Sequence, residues 1–163
     1  MILFLQERKK IQEETFLEAE SLLRNDGDLK NKRVIVLASE IFHPGVIGIA
    51  ASKIVDKYHR PTVLIAIEEG LGKGSGRSIP KFNLFRAFTD CSSHLIQFGG
   101  HAYAAGLSIK EENIDNFCVA MNKVGSRYLQ EKDLIYPVED VESDKGFMQF
   151  CITQDGMKHC MEK

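Results

Sequence analysis

The sequence has no apolar run that approaches the roughly twenty residues needed to cross a membrane. Its apolar N-terminal stretch covers only residues 1–5 and leads into charged side chains rather than the small residues of a cleavage site. We therefore expect neither a membrane span nor a secretion signal. We expect a cytoplasmic protein. Its 163 residues are enough for a single domain with a substantial core.

Cysteine pairs at Cys-x-x-Cys spacing are also absent. The chain has four cysteines, Cys91, Cys118, Cys151 and Cys160. The last two lie near His159, but their spacing matches no zinc template. Free thiols in a reducing compartment are the interpretation that fits, and no metal or cofactor is expected on this chain.

A strong net charge is the third absence, because the chain carries only −2. Residues 71–106, however, hold four basic side chains against one acidic, a local +3, whereas residues 107–144 hold four basic against nine acidic, a local −5. The basic residues of the first segment are Lys73, Arg77, Lys81 and Arg86. This distribution favours a discrete site for a phosphate or a strand end over a long nucleic-acid track. A chance cluster on a solvated face is the alternative.

The N-terminal part of the chain predicts a long helix. Residues 4–24 lack glycine and proline, and apolar or small side chains recur at helical spacing. The stripe consists of Phe4, Ile11, Thr15, Ala19 and Leu22. The turn residues at 25–28 end the helix, and we assign Asp26 and Asp28 to that helix stop rather than to a metal site.

The middle of the chain alternates strand and helix patterns. Apolar β-branched runs at residues 33–38 and 62–67 flank a helical pattern that begins at Pro44, which predicts a βαβ unit with two parallel strands. Residues 73–78 are expected to run extended beside the second strand. Asn83 is a predicted N-cap of a helix reaching about residue 94, followed by a strand at 105–109 and a helix at 111–128. The predicted fold class is α/β, with a mostly parallel central sheet flanked by helices and preceded by a long helix.

Two motifs combine residue types that bind phosphate. Residues 74–78 read Gly-Ser-Gly-Arg-Ser, so hydroxyls, a guanidinium and glycines with approachable backbone N–H groups share one short segment. Residues 99–101 read Gly-Gly-His, which presents an imidazole behind glycines that tolerate positive φ. Each has a simpler explanation, a turn in the first case and a structural histidine in the second. Together they predict a phosphate-recognition surface.

Four ordered motifs carry a resemblance to a known family. They are His43-Pro44-Gly45 with the residues up to Ile49, Gly-Ser-Gly-Arg-Ser-Ile-Pro at 74–80, Asn83-Leu84, and Gly99-Gly100-His101 with Ala104-Ala105-Gly106. In this order, over residues 7–117, the chain resembles the DHH-associated domain of RecJ-type single-strand-specific DNA exonucleases. Gly-Gly-His alone would point only to the wider DHH phosphoesterase superfamily and its relatives in alanyl-tRNA synthetases.

The resemblance implies that hydrolysis and substrate binding belong to separate domains. RecJ-like enzymes hydrolyse single-stranded DNA from the 5′ end with metal ions held by Asp and His residues of a separate DHH domain, while the associated domain holds substrate. The sequence contains no Asp-His-His. We therefore expect Mn or Mg to bind in a DHH domain that is missing or separately encoded, and this chain alone to be inactive.

The resemblance also implies which residues bind substrate, and it places no catalytic or metal-binding residue in this chain. Ser75 and Arg77 match the motif that grips the terminal phosphate, and Ser78 lies in the same motif. Gly99, Gly100 and His101 match the Gly-Gly-His motif that faces the scissile region, where His101 is a candidate contact to the transition state. His43 and Gly45 match the neighbouring His-Pro-Gly motif.

The sequence divides into three parts. Residues 1–28 form a helix and turn that resemble the connector between the catalytic and associated domains of the family. Residues 29–130 form a substrate-binding α/β domain, and residues 131–163 form an acidic linker with an unassigned tail. The apolar stripe of the connector is expected to meet the missing domain or a second copy in a homodimer. The expected function is binding of single-stranded DNA with a 5′ phosphate. The alternatives are an RNA- or tRNA-binding module like that of alanyl-tRNA synthetases, and the substrate-binding half of a DHH-superfamily nucleotide phosphodiesterase.

Overall fold

A computed structural model describes residues 2–135 in full and only the backbone of residues 139–143, 146–152 and 158–162. The first part contains α1 (Ile2–Asn25), β1 (Ile35–Ser39), α2 (Ile47–Tyr58), β2 (Thr62–Glu68), β3 (Leu71–Arg77), α3 (Leu84–Asp90), β4 (Gln97–Gly100), β5 (Ala104–Lys110) and α4 (Ile114–Tyr128). The last three segments are β6 (Glu139–Ser143), β7 (Gly146–Ile152) and β8 (Lys158–Glu162), an antiparallel sheet in that order.

The central sheet has five strands in the order β1-β2-β3-β5-β4. β1 and β2 are parallel and joined by α2, which confirms the predicted βαβ unit. The α/β class is confirmed, but a mostly parallel sheet is wrong, because β2–β3, β3–β5 and β5–β4 are antiparallel. The reason is local: Glu69 and Gly70 both have positive φ (50° and 78°), so the chain turns directly back from β2 into β3 without a crossover.

The five-stranded sheet lies between two helical layers. One face of β1 and β2 packs against α1 and α2, where the buried side chains include Leu37, Ala50 and Ile54. The opposite face packs against α3 and α4 through a larger cluster that includes Phe88 and Phe117. This alternation follows from the two-residue period of the strands, since successive side chains point to opposite faces.

The long N-terminal helix is confirmed, but it does not bury the predicted stripe evenly. Thr15, Ala19 and Leu23 are buried, whereas Phe4 is 77% exposed. Only the second half of α1 therefore belongs to the core, packed on α2. The first turns expose four consecutive apolar side chains, Ile2, Leu3, Phe4 and Leu5.

A buried carboxylate joins the two N-terminal helices. The Glu20 side chain is only 6% exposed and forms an ion pair with Lys57 of α2, while Tyr58 Oη donates to Glu20 Oε1 at 3.4 Å. Arg24 adds a longer contact to the other carboxylate oxygen, at 3.5 Å. The hydrogen bond to Glu20 raises the pKa of Lys57 above its ordinary value, despite opposing desolvation. The docking of α1 on α2 is thus partly ionic.

The turn after α1 is structural, as predicted. Asp26 pairs with Lys32, and Asp28 Oδ1 accepts a hydrogen bond from Asn31 Nδ2 at 2.6 Å. Gly27 between them has φ +57°. Both carboxylates are therefore engaged by neighbouring side chains in a chain reversal.

Two of the four cysteines have side chains that the structure describes. Cys91 and Cys118 are free thiols, and burial raises the pKa of the Cys91 thiol to about 11. The side chains of Cys151 and Cys160, and Asp144 of the proposed acidic linker, lie outside the described residues. Within the described helices, none is long and apolar enough to cross a membrane.

We predict that Lys57→Met lowers the free energy of unfolding by about 1–3 kcal/mol at neutral pH, because it leaves the buried Glu20 carboxylate with weaker partners. Since the pKa of Lys57 is raised in the folded state, its contribution is fully present below pH 10.5 and is lost as the pH rises through the folded value. Denaturant unfolding at pH 7 and above pH 10.5 measures both effects.

Lys53→Met is the matched control, because Lys53 pairs with Glu13 at 3.8 Å where both side chains are largely exposed. It should change stability by less than about 0.5 kcal/mol. Equal losses in the two variants would contradict a specific role for the Glu20–Lys57 pair.

Candidate functional site

The predicted Gly-Ser-Gly-Arg segment forms the centre of the sheet. It lies in β3, which pairs with β2 on one side and β5 on the other. The backbone N–H groups of such a strand are used by its two neighbours, so they are not available to cradle an anion. The prediction of an extended segment beside the second strand is confirmed, and the interpretation of its glycines as phosphate-binding is wrong.

The glycines of β3 are required by packing. A Cβ on Gly74 would lie 2.8 Å from Leu107 side-chain atoms, and a Cβ on Gly76 would lie 2.7 Å from Leu84 Cδ2. Both glycines therefore face the core beneath α3 and α4, where neighbouring leucines fill the space. The alternate residues, Ser75 and Arg77, lie on the opposite face of the sheet.

Ser75 and Arg77 contact each other on that opposite face. Arg77 Nη1 donates to Ser75 Oγ at 3.1 Å and to the Gly76 carbonyl oxygen at 2.7 Å. The other terminal nitrogen, Nη2, lies close to the backbone of Gly48 in the first turn of α2. The guanidinium is thus held between the sheet and the start of a helix, and both its residue and Ser75 are half-buried.

Arg77 has no anionic partner within residues 2–135. The half-buried Arg33, by contrast, pairs with Glu131 at 3.9 Å, and Arg60 donates to two backbone carbonyl oxygens. In the described part of the chain, Nε and Nη2 of Arg77 make no hydrogen bond, so three N–H donors stay available.

A shelf of small residues extends from Ser75 and Arg77 across the sheet. Ser75 pairs with Gly106 of β5, which pairs with Gly99 of β4, and Arg77 pairs with Ala104. Directly paired residues share a face, so this row continues the Ser75 and Arg77 face beyond the part covered by α2. Gly99 is exposed and Gly106 half-buried. The shelf therefore offers backbone with almost no side chains above it.

The two glycines of Gly-Gly-His have different surroundings. Gly100 has φ +136°, and a Cβ there would lie 2.5 Å from the Ala104 carbonyl oxygen. A Cβ on Gly99 would meet nothing within 4 Å. The first glycine is thus unconstrained by the fold, and the second is required by it. No strand was predicted at residues 97–100, so β4 was missed.

His101 is exposed and close to the same row. Its backbone N–H donates to the Ala104 carbonyl oxygen at 2.8 Å, and Ala104 pairs with Arg77. The backbones of Arg77 and His101 are therefore two strand spacings apart, about 10 Å. The register brings the two predicted motifs to one row of the sheet.

His43 and Gly45 form a local turn before α2. His43 Nδ1 accepts a hydrogen bond from the Gly45 N–H at 3.0 Å, and the His43 carbonyl oxygen accepts from the Val46 N–H. Both residues are exposed. The turn starts the helix whose first turn contacts Arg77, so the His-Pro-Gly motif adjoins the candidate site through α2.

Ser78 and Asn83 stabilise the connection from β3 to α3. Ser78 Oγ donates to the Phe82 carbonyl oxygen at 2.6 Å, and its backbone N–H donates to the Tyr103 carbonyl oxygen at 3.0 Å. Asn83 Oδ1 accepts from the Arg86 N–H at 2.9 Å, which confirms the predicted N-cap. The helix it caps ends earlier than predicted, at Asp90. The Ser78 hydroxyl hydrogen is therefore committed to the fold.

Gly48 and Gly106 were not among the predicted site residues, although both lie at the site. The sequence carried a signal for each. Gly48 follows Gly45 by three residues in the His-Pro-Gly run, and Gly106 belongs to the alternating small residues Ala104, Gly106 and Ser108 of a strand. Small residues at every second position indicate a sheet face that side chains leave open.

A cavity of about 670 Å³ lies elsewhere, beside α4, with Lys32, Cys118 and Asn122 in its lining. Asn122 uses its amide to bind the backbone just before β1, as it accepts from the Val34 N–H at 3.2 Å and donates to the Val34 carbonyl oxygen at 3.1 Å. The cavity contains none of the motif residues. We therefore place the candidate site on the open shelf, where the motif residues lie.

Residues 31–126 match the family described as the DHHA1 domain, which is more than half of the chain. The chain belongs to the DHHA1 domain family. This confirms the family suggested by the four motifs.

The curated relatives of this DHHA1 domain are single-stranded-DNA-specific exonucleases named RecJ. The one from Bacillus subtilis is 38% identical over 138 residues, covering 83% of this chain and 17% of the relative. The one from Haemophilus influenzae is 38% identical over 136 residues, covering 79% and 24%. The chain thus spans about a fifth of the length of the relatives it matches.

Solved structures give the same relationship. RecJ from Thermus thermophilus in complex with Mn²⁺ is 29% identical with a TM-score of 0.66, covering 77% of this chain and 18% of that one. The complex of the same protein with Mg²⁺ has a TM-score of 0.61. The DHHA1 domain described here therefore shares the fold of one part of RecJ.

We predict that Gly100→Ala lowers the free energy of unfolding by about 1–3 kcal/mol, because the new Cβ requires both a strained φ and the displacement of backbone atoms. Gly99→Ala is the matched control in the same motif and should change stability by less than about 0.5 kcal/mol. Chemical denaturation of the two variants measures the difference. A destabilised Gly99→Ala would show that Gly99 is also constrained by the fold.

Proposed function

We propose that this DHHA1 domain binds single-stranded DNA with a 5′ phosphate, as the substrate-holding part of a RecJ-like 5′–3′ exonuclease. The observation that carries the proposal is the Arg77 guanidinium, which is half-buried on the sheet face and has no carboxylate partner within residues 2–135. A phosphate is the partner that its geometry suits, because two N–H groups of a guanidinium can bind two phosphate oxygens.

The surroundings of Arg77 add to the preference for an anion. The first turn of α2, which it contacts at Gly48, carries partial positive charge from its backbone N–H groups. A guanidinium beside that turn gains no electrostatic stabilisation from the helix unless an anion lies between them. Ser75 Oγ already accepts from Arg77 Nη1, so its own hydrogen is free to donate to a phosphate oxygen.

The rest of the DNA strand lies along the shelf in this proposal. Gly99, Gly106 and Ala104 leave the backbone uncovered, so a nucleic-acid backbone can approach the sheet closely beside Arg77. We assign the terminal phosphate to Ser75 and Arg77, and the following nucleotides to Gly99 and His101. In this scheme Gly100 fixes the position of His101, Ser78 holds the end of β3, and His43 with Gly45 flank the site from the start of α2.

We propose that the metal ions and the hydrolysis reside in a DHH domain. Within residues 2–135 there is no group of three or more His, Cys, Asp or Glu residues that could hold a metal ion. The Asp26 and Asp28 carboxylates are bound by Lys32 and Asn31, so this pair does not suit a metal either. In that arrangement His101 faces the scissile phosphodiester and donates to a phosphoryl oxygen as charge develops.

The exposed apolar start of α1 is a candidate contact for that domain. Phe4 and its neighbours are 61–77% exposed, and the match covers only 17% and 24% of the two curated relatives. We propose that part of the DHH domain covers these turns. Pairing with a second copy is the alternative, and light scattering of Phe4→Asp distinguishes a homodimer from a monomer.

We predict that Arg77→Ala removes the preference for a 5′ phosphate over a 5′ hydroxyl. A charge-assisted hydrogen bond contributes roughly 1.5–3 kcal/mol, which corresponds to about a ten- to hundredfold loss of affinity for the phosphorylated strand. Fluorescence anisotropy with two oligonucleotides that differ only at the 5′ end measures it.

Arg86→Ala is the control, since Arg86 is also an arginine but is exposed, and its guanidinium lies 5.0 Å from the Tyr128 ring, on the α3 and α4 side of the domain. It should leave the end preference unchanged. The same oligonucleotide made as RNA tests the alternative function. Tighter binding of RNA, with no end preference, would favour the tRNA-related module.

We predict that the purified chain cleaves no single-stranded DNA in the presence of manganese. Metal-activated water is needed for phosphodiester hydrolysis of this kind, and the carboxylates of the only Asp-x-Asp in residues 2–135 are already bound. Turnover that survives Arg77→Ala and His101→Ala would indicate a contaminant. Turnover abolished by Asp26→Ala with Asp28→Ala would contradict the assignment of the metals to another domain.

A further inference from the structure

Gly48 occupies a position of α2 where a Cβ would enter the space of the Arg77 guanidinium. A Cβ there would lie 2.6 Å from Arg77 Nη2, 3.3 Å from Cζ and 3.1 Å from Ser75 Oγ. Contacts below 3.0 Å do not occur between a real Cβ and a heavy atom, so one of the two must move. The atoms in the way belong to the far end of a flexible side chain, and the guanidinium is therefore the group that would give way.

The helix itself does not require glycine at this position. Gly48 is the second residue of α2, and its φ does not lie in the left-handed region that favours glycine. Helix propensity ranks alanine well above glycine. The absence of a side chain thus brings α2 no benefit, whereas it leaves room for the guanidinium against the helix.

We propose that Gly48 is a positioning residue that seats the Arg77 guanidinium for phosphate binding. Its contribution is the space that lets Nη2 lie against α2 while Nη1 binds Ser75 Oγ and the Gly76 carbonyl oxygen. The inference rests on the proposed function, because it concerns the same phosphate site. It adds a residue on a different element, the helix α2, which faces the Arg77 side chain of β3.

The test compares the wild type with Gly48→Ala, Arg77→Ala and the double variant Gly48→Ala/Arg77→Ala. For each protein, anisotropy gives the affinity for a single-stranded oligonucleotide with a 5′ phosphate and for the same strand with a 5′ hydroxyl. Thermal unfolding gives the midpoint. We expect Gly48→Ala to reduce the phosphate preference about tenfold in the wild type and less than about twofold in the Arg77→Ala background. The unfolding midpoint should stay level or rise.

Ile49→Ala is the matched control. Ile49 is the next residue in the same turn and is 38% exposed, and Ile49→Ala should leave the end preference unchanged. A similar loss in Ile49→Ala would overturn the specific role of Gly48.

Three other outcomes overturn the proposal. The first is an unchanged phosphate preference in Gly48→Ala when Arg77→Ala has lost it, which leaves the proposed function intact. The second is an equal effect in both backgrounds, which would mean that Gly48 faces the ligand directly. The third is a midpoint lowered by more than about 5 °C, which would show that the fold yields rather than the guanidinium. An unchanged preference in Arg77→Ala would instead overturn the phosphate site itself.

Discussion

The lack of side chains on one face of β3 determines the rest of this structure. Because Gly74 and Gly76 have no Cβ, Leu107 and Leu84 can pack directly against the strand backbone. That close packing fixes α3 and β5 relative to β3. The same strand then directs Ser75 and Arg77 to the opposite face at fixed positions. The polar pair is therefore held by a rigid core on its reverse side, and a loop would hold it less firmly.

The opposite face of the sheet also has positions without a side chain. Gly48 allows α2 to lie against the Arg77 guanidinium, and Gly106 and Gly99 leave the neighbouring strands bare. Small residues thus have two different functions in one sheet. On the core face they permit close packing by leucine side chains, and at Gly99 on the other face the glycine leaves space that the described protein does not fill. Gly99 belongs to the second group, since a Cβ there would meet no protein atom within 4 Å. The fold therefore does not require glycine at this position.

The sequence predicted most elements because their local signals were strong. The β-branched runs, the Asn83 cap and the turn at Asp26 each depend on neighbouring residues, and each matches the structure. It failed where residues carry no local signal for the structure that they adopt. The hairpin that makes the sheet mixed requires positive φ at Glu69, a residue with no strong preference for it. β4 was missed because two exposed glycines carry no strand signal, and its pairing comes entirely from β5. At the site, the pairing of Arg77 with Ala104 could not be read from spacing alone, so Gly48 and Gly106 were not among the expected site residues.

The proposed phosphate site is open to solvent on one side. On an open sheet face a guanidinium–phosphate pair stays partly in contact with water, and solvent screening weakens such a pair. Affinity and specificity rise when another surface excludes water over the pair, since the effective dielectric constant then falls. Arg77 is already desolvated from below by the sheet and from one side by α2, whereas the β5 and β4 side is open. A second domain placed over Gly106 and Gly99 would complete the enclosure from the one direction still exposed. A DNA strand that enters along that side would lie between the protein backbone of the sheet and the second domain. Under the proposed function, tight binding of substrate is a property of the two domains together, and the DHHA1 domain contributes the orientation of the terminal phosphate.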